Sequence, residues 1–169
     1  MEGTKKKLRT ISTAGIILSL LFILALAMLL IGCLIIMVLA QDIEMSLVGI
    51  AVTGEITAAD IRMMAAVLIV DIVSMLLVFI LLYKIFQNIR SSSPFNDANV
   101  RNMRWIALVL LATGILSPIL NIVANHFMEG AEIPLGTGME VIIGAAIFYC
   151  LSLIFQYGTE LQKESDQTL

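Results

Sequence analysis

The chain has 169 residues, of which 60% are hydrophobic and only 14% charged, with a mean hydropathy of +1.02 and a formal net charge of −3. Soluble domains carry roughly a quarter of charged residues, so an ordinary water-soluble fold is excluded. The apolar residues fall into four blocks, 11–40, 61–86, 105–123 and 141–155, and about 20 such residues cross a bilayer as a helix.

The first block follows Lys5, Lys6, Lys7 and Arg9. Its run "IILSLLFILALAMLLIGCLIIMVLA" has neither the polar face of a soluble amphipathic helix nor the alternation of a membrane strand. It is too long for a secretory leader, whose apolar region is about 7–15 residues. "LIGC" ending at Cys33 resembles a lipoprotein box, yet "LIIMVLA" continues the apolar run past it. Cys33 and Cys150 read as small apolar fillers, placed in opposite leaflets if helices alternate. The expected helix covers about 10–40.

An acidic stretch, 41–60, follows, with room for a short amphipathic piece. Thr57 and Asp60 make a weak capping-box pattern ahead of a second helix over about 58–89. Asp71 sits inside it, in "AAVLIVDIVSMLL". A carboxylate at membrane depth costs at least about 2.5–3.5 kcal/mol, so it faces protein and finds a partner.

The segment "SSSPFNDANVRNMRWI" interrupts the apolar pattern. Pro94 disfavours helix at Ser93 and ends the second helix. Asn96 or Ser93 caps a third helix over about 96–128, with Asp97 at the positive end of its dipole. Antiparallel counting places Ser117, Pro118 and Asn121 level with Asp71, and Pro118 leaves the Gly114 carbonyl without its helical donor. Gly32, Cys33 and Gly144 fall at similar depth, where small residues permit close approach. Asp71, Ser117 and Asn121 are therefore the expected intramembrane polar cluster, either a structural tie or, with Glu140, a site for a proton, cation or small ligand.

Gly130 and Pro134 break the next loop. Thr137 with Glu140 reads as a full capping box before a fourth helix over about 138–158, followed by a tail, 159–169. His126 is the single histidine and reads as an interfacial polar residue; the ten methionines read as apolar packing. Metal-ligand, nucleotide and nucleophile motifs are absent from the sequence. No cofactor, metal or catalytic residue is expected.

Lys84, Arg90, Arg101 and Arg104 flank the second connection and Lys163 lies in the tail, so nine of the ten basic residues share one side, Arg62 being the exception. Basic residues near membrane ends collect in the cytoplasm. The expectation is an all-α integral membrane bundle of four transmembrane helices in one domain, multi-pass in the cytoplasmic membrane, with N and C termini inside.

Pro94, Phe95, Asn99, Arg101 and Arg104, together with the closing Gly158, Glu160, Leu161, Gln162, Glu164, Asp166 and Thr168, resemble a family of small bacterial membrane proteins catalogued as domain of unknown function 2975. The resemblance implies four helices and no assigned activity. It also implies a neighbouring gene for a short helix-turn-helix regulator, and hence a regulatory, non-enzymatic protein that modulates such a factor. Turn and cap duties leave Phe95 unassigned, so Phe95, Asn99, Arg101 and Arg104 with Glu160, Glu164 and Asp166 are the expected cytoplasmic partner surface. Basic loop and acidic tail are also able to pair with each other. The partners allowed by this reading are the lipid bilayer, the soluble regulator and a second copy of the chain, without direct nucleic-acid binding. The alternative is a small transporter or channel-like subunit using Asp71.

Overall fold

The structure is a computed structural model describing residues 2–39, 57–91, 94–128, 133 and 138–167, apart from the side chains of residues 2–5 and 166. It is all-α: α1 (Glu2–Leu39), α2 (Ala58–Ser91), α3 (Asp97–Phe127) and α4 (Met139–Gln167). Each is long and apolar enough to cross a membrane. At 1.5 Å per residue they run about 44–57 Å, beyond the roughly 30 Å hydrocarbon core.

Two helices exceed their expected ends. α1 begins at Glu2 and α4 continues nine residues past Gly158, to Gln167. The "tail" is rich in Glu, Leu, Gln and Lys, which favour helix, and no proline stops it. Ends expected from local chemistry are present where they can be seen. Thr57 and Asp60 form a reciprocal box, Asp60 Oδ2 accepting from Thr57 N at 2.9 Å and Thr57 Oγ1 from Asp60 N at 3.2 Å. Asn96 caps α3, its Oδ1 accepting from Asn99 N at 2.7 Å. The Ser93 stop, Gly130, Pro134, the Thr137 box and residues 41–56 of the outer loop lie outside the described residues.

Successive helices are antiparallel. Phe22 stacks on Phe79 with ring centroids 4.6 Å apart, and seven residues earlier Gly15 leaves room for the Phe86 ring, seven residues later. Asp71 meets Ser117, while Asn88 meets Asn99. Phe95 meets Phe155, which closes α3 on α4. The N-terminus, the α2–α3 turn and the C-terminus therefore share one end.

Among the described residues the four helices form an open row. α2 packs on α1 and α3, and α3 on α2 and α4; among the described residues α1 approaches neither α3 nor α4. The main core joins Val78 and Ile85 to Met103, Ile106, Leu110 and Ala145, across α2, α3 and α4. A second core, Met64, Val67, Ala124 and Met128, closes the far end of α2 on α3. α1 contributes to neither. Among its described side chains only Ser12, Ser19 and Cys33 are buried, at multiples of seven residues; Ile16, Ile23, Leu26 and Leu30 are half-buried, and most of its other Leu and Ile side chains are exposed.

Candidate functional site

The polar cluster expected around Asp71 is assembled at the level where antiparallel counting places it. Ser117 donates to Asp71 Oδ2 at 3.3 Å, so Asp71 faces α3. Asp71, Ser117, Asn121 and Glu140 line one cavity of about 250 Å3, with Met75, Thr113, Gly114, Pro118, Gly138 and Val141. The row architecture explains its place. α2 and α4 both lean on α3 without touching backbone to backbone, so a groove runs over α3 between them.

The floor of the groove is a ladder on α3. Thr113, Ser117, Asn121 and Asn125 recur every four residues, and the first three line the groove. Thr113 returns its hydroxyl to Val109 O. Asn125 pins the following loop, donating to Ile133 O at 2.9 Å and accepting from Ile133 N at 2.8 Å. Asn121 is 8% exposed, and its Oδ1 has no hydrogen-bond partner. Such an orphaned acceptor is expensive in a buried setting.

Pro118 and two glycines shape the groove's outer wall. Gly138 has φ +64°, and a Cβ there would collide with the Gly114 carbonyl. That carbonyl is the acceptor Pro118 cannot satisfy, and α4 starts directly against it. Glu140 lies in the first turn of α4 at the exposed rim. Gly32 and Cys33 do not join the cluster. They belong to α1, beyond α2, where Cys33 is buried and Gly32 has nothing within 4 Å of where its Cβ would stand. Gly144 faces Leu110 instead.

The second candidate surface lies at the end shared by the termini, and here one expectation is corrected. Asn99 is fully buried at 0% exposure, so it cannot meet a partner. It accepts from Asn88 Nδ2 and donates to Pro94 O, both at 2.9 Å, tying the α2–α3 turn to α2. Phe95 remains exposed, at 39%, and also makes an internal contact. Its ring packs on Phe155 at 5.3 Å and fills the gap left by the missing side chain of Gly158.

The remaining residues stay at the surface. Arg101, Arg104, Glu160 and Glu164 are exposed, and the Asp166 side chain is outside the description. Loop and tail do pair, by a different route from the one expected. Arg104 donates to Gln156 Oε1, and Gln156 Nε2 donates to Glu160 at 3.0 Å. Lys163 of the tail bridges Asp97 of the loop at 3.0 Å. His126 sits edge-on to Phe127 and outside the groove.

The two segments that carry the family resemblance thus form one unit, with Phe95 seated in the notch of Gly158. The family model described as a protein of unknown function, DUF2975, matches residues 49–169. The chain belongs to this family. The match takes in α2, α3 and α4 and excludes α1. No curated protein and no solved structure matches the chain.

Proposed function

We propose that this DUF2975 member is a non-enzymatic, multi-pass protein of the cytoplasmic membrane that binds a soluble regulatory partner at its cytoplasmic end. Orientation rests on charge: the end holding both termini also holds nine of the ten basic residues, which favours that end inside. One observation carries the partner reading. α4 does not fray after leaving the apolar region but continues as a helix fastened to the α2–α3 turn by Phe95, Gly158 and the Lys163–Asp97 bridge. Ordering those residues has an entropic cost, and the product is a firm platform with Arg101, Glu160 and Glu164 exposed on it. A soluble helix-turn-helix regulator, the partner implied by the family resemblance, is the expected occupant.

The test is co-purification of the neighbouring helix-turn-helix regulator with the full chain and with a chain ending after Gly158. The reading expects the regulator with the first and not the second. Equal recovery with both, or with neither, contradicts it. Impermeant thiol labelling at Arg101→Cys checks the orientation independently, and labelling from outside would sink it.

The groove around Asp71 favours a second reading, a small transporter or channel-like subunit. Solute flux in proteoliposomes that is lost in Asp71→Asn supports it.

A further inference from the structure

We infer that the groove between α2, α3 and α4 binds a small organic cation, a protonated amine on a short apolar body. This deepens the transporter reading by naming its ligand, and it stands as a binding site even where no flux follows.

The charge of the lining comes first. Among the described residues, Asp71 and Glu140 are the ionisable ones lining the groove, and neither Lys, Arg nor His lines it. A second observation points to an absent donor. Asn121, more than nine-tenths buried, lines the groove with its Oδ1 unpartnered. Ser117 already spends its hydroxyl proton on Asp71, and Thr113 spends its own on Val109 O. The groove therefore presents more acceptors than donors: among its described lining side chains, the Asn121 amide N–H2 is the donor group not already spent. An ammonium group brings up to three donors and no acceptor, which is the complement of this set.

Size and wall chemistry separate an organic cation from a bare ion. The cavity of about 250 Å3 has room for about eight heavy atoms at the roughly 30 Å3 a water molecule occupies in the liquid. Met75, Pro118 and Val141 supply apolar walls. Among the described residues no group of three or more His, Cys, Asp or Glu gathers to hold a metal ion. Ligand sites of this kind are mostly apolar, with a few placed polar groups that fix orientation.

The row architecture supplies the entrance. α1, which would cover the groove in a closed bundle, packs on α2 and approaches neither α3 nor α4 among the described residues. An acidic groove opening beside apolar helix faces suits a ligand with a charged head and an apolar body.

The experiment uses the purified full chain in lipid nanodiscs with three probes at matched ionic strength: n-butylammonium, the slightly larger neutral alcohol 1-pentanol, and sodium ion. Thermal stabilisation and calorimetric binding are read for each. The expected result is saturable binding of n-butylammonium, none with 1-pentanol or sodium, and affinity at least about tenfold weaker in Asp71→Asn. Asn121→Leu, which removes the orphaned acceptor, is expected to weaken it as well while Ser117 still holds Asp71. Equal binding of 1-pentanol overturns the charge recognition, and competition by sodium at equal concentration overturns the organic ligand. Absence of binding by any probe, in a protein whose unfolding remains cooperative, overturns the site. Binding without counterflow in proteoliposomes leaves the site standing and removes only transport.

Discussion

α1 and α3 are both apolar enough to cross a bilayer, yet they hold to α2 in different ways. α1 lies on α2 along a seam of Ser12, Ser19 and Cys33, a spacing of small residues that lets two helices approach. Its contacts are steric: a notch at Gly15 for Phe86 and a stacked pair, Phe22 on Phe79. α3 meets α2 through two polar ties, Asn88 to Asn99 at one end and Asp71 to Ser117 along the contact, with one apolar core between them and a second beyond Asp71. In lipid an apolar side chain gains little by leaving one apolar neighbour for another, so close packing and hydrogen bonds decide which helices associate. The lesson is that equal hydropathy conceals unequal attachment. α3 is held by polar ties and shared cores, whereas α1 packs closely on α2 alone and keeps an exposed apolar outer face.

The sharpest way to break the α3 side is Gly138→Ala. The positive φ disfavours any side chain, and the new Cβ would strike the Gly114 carbonyl, which is backbone and cannot swing aside. A loss of about 2–4 kcal/mol is expected, read by unfolding in detergent, with the α1–α2 contact unaffected. Asn99→Ala attacks the tie at the other end. It removes the Asn99 side chain from the Asn88 amide and the Pro94 carbonyl, for about 1–3 kcal/mol, and it should expose the α2–α3 turn to protease. Gly15→Leu is the matching blow to α1. The larger side chain displaces the Phe86 ring and should cost about 1–2 kcal/mol. Its signature is a loosened α1 with the groove residues still in place.

Smaller effects sharpen the contrast. Asp71→Leu removes the partner of Ser117 and should loosen α2 from α3 by about 0.5–2 kcal/mol. Asp71→Asn should be nearly silent in the same assay, because the amide oxygen still accepts from Ser117. Lys163→Ala should do least. Its bridge to Asp97 is exposed, with the two side chains 58% and 76% accessible; about 0–1 kcal/mol is expected, vanishing at high salt.

Much of this was legible in the residues, and the failures share a cause. Asp71 to Ser117 could be read because a carboxylate in an apolar run needs a partner and antiparallel helices fix which residues are level with it. Asn96 and the Thr57–Asp60 box could be read because caps are local. Asn99 could not. A polar residue one turn into a helix reads as surface, and its burial comes from Asn88 on another helix and the folded-back carbonyl of Pro94. The solitude of α1 was hidden because hydropathy measures compatibility with lipid and not the choice of neighbour. Two signals were open to a closer reading: small residues at 12, 19 and 33, and the fourfold polar ladder 113, 117, 121 and 125.

The central claim is that Asp71 faces α3, across the groove, with α1 packed on α2. Thiol cross-linking in native membranes tests it most directly, on a background with Cys33→Ala and Cys150→Ser. Asp71→Cys combined with Ser117→Cys should be joined rapidly by a short thiol-specific cross-linker, whereas Asp71→Cys combined with Gly32→Cys should not. Rapid joining of the second pair with none of the first would place Asp71 against α1 and contradict the account.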